Sequence, residues 1–296
     1  MVKRINKKKQ IRQAVEYSDR WLIRRQKRHV NMIEVAIRNL QASILDDIQT
    51  LQAQKGRLEG VKINLKQAQK IHKRIVTEFG TEFSTATKKI IADFDNVSKV
   101  IEKSFSYLDE AASFTDVDLG ALEVLKNGYL DKYTKLSGVK QTEIVQAMYN
   151  HVISREKFSS LVDVVRKNIY GTQKKGVPGT SLAQYSRLYA RDMVHNFHNE
   201  ALLMKAEDLE INTFLYAGNI IATTRDFCRR RCGKIYTRNQ IDSWTHSWAG
   251  KSGPAFTHRG GYNCRHHWQP VRPEWLEDGE KRLDAANWDY EKSGGT

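Results

Sequence analysis

No proline occurs before position 178; the four in the chain are Pro178, Pro254, Pro270 and Pro273. Proline removes a backbone donor and clashes with the preceding helical turn, so a proline-free run of that length is suited to long helices. The apolar spacing agrees. Val30, Ile33, Ile37, Leu40, Ile44, Ile48 and Leu51 step by three and four, a heptad-like seam on one helix face. A second run follows Gly56 (Leu58, Val61, Leu65, Ala68, Ile71, Ile75), and a third follows Gly80 (Ile90, Ile91, Phe94, Val97, Val100, Ile101, Phe105, Leu108). These runs predict long helices packed as a coiled coil or hairpin bundle, with Gly56–Gly60 and Gly80 as turns or kinks. One very long helix fits the same spacing. The stripes read as core or oligomer packing, and they make self-association through helices an expectation.

Further along, residues 112–140 are mixed. Ser113-Phe114-Thr115-Asp116 can cap a short helix, and Leu136-Ser137-Gly138 can begin a connection. Residues 143–168 read as helix again, and the Gly- and Pro-rich stretch 170–179 as a loop. Thr180 or Ser181 then caps an amphipathic helix whose buried face is Leu182, Tyr185, Tyr189, Met193, Phe197, Ala201 and Met204. Residues 212–216 suit a strand and 217–219 a turn. The fold class expected is mainly α: long N-terminal helices, then a small α+β C-terminal domain. Four segments follow: a basic stretch 1–30, a long-helix region 31–139, the C-terminal domain 140–272, and an acidic, aromatic tail 273–296.

Charge narrows the partners. The chain carries a net +15, and residues 1–30 hold eleven basic side chains against two acids, a local balance of +9. Lys3, Arg4, Lys7, Lys8, Lys9, Arg12, Arg24, Arg25, Lys27 and Arg28 are therefore expected to face a polyanion, double-stranded DNA or an anionic membrane surface. A solvated tail without a partner is the alternative. No apolar run approaches the ~20 residues that cross a bilayer, and the basic start lacks the apolar stretch of a secretory signal.

Ligand-type residues crowd into one region. All three cysteines, Cys228, Cys232 and Cys264, lie between Tyr216 and Val271, with His246, His258, His266 and His267 among them; His198, the nearest histidine outside, is a weaker candidate. An odd cysteine count without a secretory signal argues against a disulfide framework. Thiolates and imidazoles in two short clusters suit tetrahedral zinc, with Cys228, Cys232, Cys264 and either His258 or His266 as the expected set. On a helical turn Cys228 and Cys232 would share a face. Small buried thiols with no metal are the competing reading. Asp226 and Asp242 are the only nearby acids, so no complete catalytic triad or carboxylate cluster is in view, and the expectation is a non-enzyme. A nuclease with His258, His266 or His267 as general base is the alternative.

These same residues resemble the phage Mu F-like head morphogenesis family of minor head proteins. The pieces are Tyr216-Ala217-Gly218, Thr224-Arg225-Asp226-Phe227-Cys228, Gly233-Lys234-Ile235-Tyr236, Pro254 with His258, Cys264-Arg265-His266 and Pro270-Val271. His266 stands where the family pattern has a final Cys, which preserves a metal-capable side chain. The match covers roughly residues 140–272. The resemblance implies a minor virion component in the capsid interior, formed in the host cytoplasm, touching portal or major capsid protein and packaged DNA.

Overall fold

A computed structural model describes residues 2–59, 61–171, 181–244 and 254–276, with the side chains of 2–6, 61 and 136 outside the described set. The chain is mainly α, with one small hairpin near residue 55 and a three-stranded sheet toward its C-terminus. Its order is α1 (Val2–Gln49), β1 (Ala53–Gln54), β2 (Arg57–Leu58), α2 (Val61–Glu78), α3 (Ser84–Ala92), α4 (Val97–Ser106), α5 (Asp116–Ile153), α6 (Phe158–Tyr170) and α7 (Leu182–Asp208). Then come β3 (Thr213–Ala217), α8 (Asp226–Arg231), β4 (Ile235–Thr237), α9 (Arg238–Asp242), α10 (Ala255–His258) and β5 (His267–Pro270). The described residues divide into two compact units. One draws on Met1–Gln26, Asp93–Lys126 and Arg191–Thr296, the other on Lys27–Ala92 and Asn127–Ala190.

The second of these is all-helical apart from one hairpin. The seam from Val30 to Leu51 is buried throughout, as are Ala68, Ile71 and Ile75. Of the two roles expected for that seam, core packing and oligomer packing, the chain's own fold supplies the first. Lys55 and Gly56 both have positive φ, the geometry of a two-residue hairpin turn, and join β1 to β2. The turn expected at Gly56 is present. Gly80 sits instead in a π-helical turn (Phe79–Phe83) between α2 and α3, so the chain adjusts there without reversing. No connection forms at Leu136-Ser137-Gly138: α5 runs through it for 38 residues. A Cβ at Gly120, Gly128 or Gly138 would meet nothing within 4 Å. Each glycine therefore costs helix propensity of about 1 kcal/mol without opening a core cavity, and burial of Tyr133, Ile144 and Met148 outweighs it. Tyr133 is stacked between Phe83 and Tyr189.

The first unit contains the candidate site. Its sheet is antiparallel, order β4-β3-β5, with Leu215 opposite Ile235 on one side and Gln269 on the other. Trp268 on β5 is fully buried, donates its indole N–H to Phe256 O (2.9 Å) and packs on Phe256 and Tyr216. The basic stretch is not a separate arm: α1 continues past residue 30, and Ile11, Ala14, Val15 and Leu22 are buried in this unit. Their spacing is itself an amphipathic stripe, hidden in the sequence by the charge around it. The aromatic tail beyond residue 276, with Trp288 and Tyr290, lies outside the described residues, as do most of the 170–179 loop and His246.

Helix α7 starts as expected. Ser181 Oγ accepts the Gln184 N–H while the Gln184 side chain reaches back to Ser181 N–H. Its middle is buried on every face from Asp192 to Asn199, so the expected one-sided apolar stripe is incomplete: Tyr185 is exposed and Met204 half-buried.

Candidate metal centre

Two segments carry the donor atoms. The first is α8, which begins after an extended Arg225 and places Cys228 in a buried position. The second is the turn 259–266, which carries Cys264 and His266. Cys228 Sγ and Cys264 Sγ are 3.7 Å apart, and Cys264 Sγ is 3.7 Å from His266 Nδ1. All three residues are buried and their donor atoms lie within 4.8 Å of one another, a cluster that could hold a metal ion.

The expected set is thus partly gathered. Cys232 closes the turn that Cys228 opens, its N–H donating to Cys228 O (2.8 Å), so the two share the face expected; the chain then leaves α8 at a ψ of 131°. Gly233, at φ 79°, completes the exit expected there. The Cys232 thiol donates to Gly218 O (2.9 Å) and also touches His266, so it stands at the edge of the cluster. His258, at the end of α10, lies outside the cluster.

Glycine makes the close approach possible. A Cβ on Gly260 would collide with Cys228 Sγ and stand 3.2 Å from Cys264 Sγ. Gly218, at φ 137°, has no room beside His266. Tyr216 closes one side: its hydroxyl lies 3.3 Å from Cys228 Sγ and 3.5 Å from Cys264 Sγ, and its ring stacks on His266. Arg225 ties the two segments together, donating to Gly260 O (3.0 Å) and Tyr262 O (2.7 Å).

Helix α7 holds the second segment through three polar side chains. Asp192 Oδ1 accepts from Asn263 N–H (2.8 Å), Asn196 Oδ1 from the Arg259 guanidinium (3.0 Å) and Asn199 Oδ1 from Trp268 N–H (3.5 Å). Positions 192, 196 and 199 form one helix stripe. Arg259 is fully buried. Around it lie more buried polar groups: His267 Nδ1 is 2.8 Å from Asp19 Oδ1, and His195 and His198 are enclosed.

Electrostatics favours a thiolate. Burial pushes the Cys264 thiol up, but hydrogen bonding to Cys228 and His266 and the charges of His266 and Arg259 pull it well below the usual thiol range. Cys228 moves up instead, because it hydrogen-bonds Cys264 and is itself buried. For His266 burial works against protonation, yet contacts with Cys232 and Cys264 raise its pKa to about 9. A metal ion would replace the proton this group shares and neutralise the thiolate.

The residues expected to meet DNA divide. Lys7 donates to Leu108 O and Asp109 and lies over Trp275, and Arg25 pairs with Asp93 beside Trp21. Lys9, Arg12, Arg24, Lys27 and Arg28 are exposed along α1 and Lys8 is half-exposed, whereas the side chains of Lys3 and Arg4 lie outside the described residues.

No known protein family, curated protein or solved structure matches this chain. Among the described residues no helix is long and apolar enough to cross a membrane.

Proposed function

We propose that this chain is a non-enzymatic minor head protein of a phage, acting in the capsid interior, with zinc stapling its C-terminal domain. One observation carries the reading. Several of the sequence pieces behind the resemblance, far apart in the chain, meet at a single centre: Tyr216 on both sulfurs, Gly218 against His266, Cys228 beside Cys264, and Arg225 bonded to the Gly260 carbonyl of the turn that carries Cys264. Zinc fits the donor spacing. In a tetrahedral centre with zinc–sulfur bonds of about 2.3 Å, two thiolates stand about 3.75 Å apart; the two sulfurs here are 3.7 Å apart. The exposed basic residues of α1, Lys9, Arg12 and Arg24 among them, are the proposed contact with packaged DNA. Portal or major capsid protein is the proposed docking partner. Mass spectrometry of purified heads and procapsids, with crosslinking, tests this: a few copies crosslinked to portal or shell are expected, and absence from both particles refutes it. Elemental analysis should give about one zinc per chain.

A zinc-dependent nucleic-acid-binding or nuclease module is the second reading. It draws on a polar cavity bordering Cys228, Cys264 and His266. Incubation with DNA and divalent metals decides it: no cleavage, and no change in DNA binding on replacing His266, removes it.

A further inference from the structure

A cavity of about 190 Å³ borders the three donor residues, and its other walls are Gln26, Arg191, Asn219, Ile221, Thr223, Thr224, Arg225, Asn263 and Arg265. Three of these are arginine and none is Asp or Glu. Among the described residues no carboxylate pairs with Arg191, Arg225 or Arg265. Arg225 is spent on two carbonyls, but Arg265 is exposed and Arg191 half-buried. Thr223, Thr224, Asn219 and Asn263 add polar side chains to the same wall.

The placement of the donors matters as much as the charge. Tyr216 is buried and covers the sulfurs from one side. Neither Cys232 nor His258, the two remaining expected ligands, borders the cavity. A metal with four protein ligands is closed and structural, whereas one with three keeps a position for an outside ligand. From these features we infer that a metal held by Cys228, Cys264 and His266 keeps its fourth position open to this cavity, where it takes an oxyanion of the phosphate type, oriented by Arg265 and Arg191. This rests on the metal reading above. Two thiolates and one neutral imidazole cancel the charge of a divalent ion, so the guanidinium groups supply the attraction for the anion. The phosphate group could come from free phosphate or from a nucleic-acid backbone.

Cobalt(II) substituted into the full-length protein provides the readout, because its thiolate charge-transfer bands report metal binding and its d–d bands report the fourth ligand. Inorganic phosphate should shift the d–d bands saturably, and Arg265→Gln or Arg191→Gln should each weaken that response about tenfold while leaving the charge-transfer bands in place. A duplex oligonucleotide competing with phosphate, also weakened by Arg265→Gln, identifies a backbone phosphate as the ligand; a response to phosphate alone identifies the free ion. Bands that form but ignore phosphate overturn this inference and leave the metal centre standing. Loss of charge-transfer intensity in Cys232→Ser would also overturn it, by making Cys232 the fourth ligand. Failure of cobalt to give thiolate bands at all sinks both.

Discussion

Gly260 leaves no room for a side chain beside Cys228: a Cβ there would overlap the sulfur. Two sulfurs this close need a backbone without a side chain between them, so Gly260→Ala must push Cys228 and Cys264 apart. The expected result is a loss of metal affinity of at least tenfold, the scale seen when outer supports of a site are removed, together with about 1–3 kcal/mol of destabilisation from overpacking. Competition against a chromogenic chelator measures the first and urea unfolding the second. A Gly260→Ala protein that binds zinc normally would show that the two thiols are not ligands.

The cysteines and histidines should rank unequally. Cys228→Ala, Cys264→Ala and His266→Ala each remove a donor from the tight cluster and should abolish stoichiometric zinc. His258→Ala should leave the zinc content unchanged, because its ring is not part of that cluster. Cys232→Ala should fall between, losing the hydrogen bond to Gly218 O and the contact with His266 but no cluster donor. Elemental analysis of the purified variants gives the order, and equal losses at Cys232 and Cys228 would restore the four-ligand set expected from spacing.

The long helices were legible because their signal is periodic and each residue repeats it: every seam position from Val30 to Leu51 is buried. The continuity of α5 was not, since Leu136-Ser137-Gly138 reads locally as a break and only long-range burial of Tyr133 and Met148 carries the helix through. At the site, Cys228, Cys264 and His266 are brought together, but spacing could not separate His266 from His258. That distinction depends on the turn at Arg259, whose φ is 48°. The polar stripe Asp192, Asn196 and Asn199 had a signal at four- and three-residue steps inside an apolar helix. The sequence does not assign it a role, because polar residues at such spacing usually mark a solvated face.

Lys205 is buried and pairs with Asp118 at 2.8 Å and Asp208 at 2.7 Å. Burial opposes both charges, yet the hydrogen bonds between them win: the Lys205 pKa is raised, and that of Asp118 is lowered with help from Thr115. Lys205→Met should destabilise by about 3–5 kcal/mol, because it leaves Asp118 charged and buried at the start of α5. Lys205→Met combined with Asp118→Asn should cost clearly less. The pair's contribution is held on a plateau. It declines as pH falls through the depressed Asp118 pKa below about 4, and again as pH rises through the raised Lys205 pKa above about 10. Denaturant unfolding across that range checks both edges.

His198 is enclosed beside His267, and burial drives its pKa down to about 3; His195 moves down for the same reason. The folded protein therefore keeps both rings neutral while the unfolded chain takes up protons below about pH 6.5. Stability from these groups is complete above that pH and falls as the solution is acidified toward 3, by about 1.4 kcal/mol per pH unit for each ring. Replacing His198 with Gln removes one of the two titrations. Between pH 7.5 and pH 5 the variant should lose about 2 kcal/mol less stability than the parent, read from urea midpoints at each pH. Metal release in acid affects both proteins alike and drops out of the comparison. Parallel losses in the two would mean that the His198 ring gains a proton in the folded state, and that a group able to accept its N–H lies within reach inside the core.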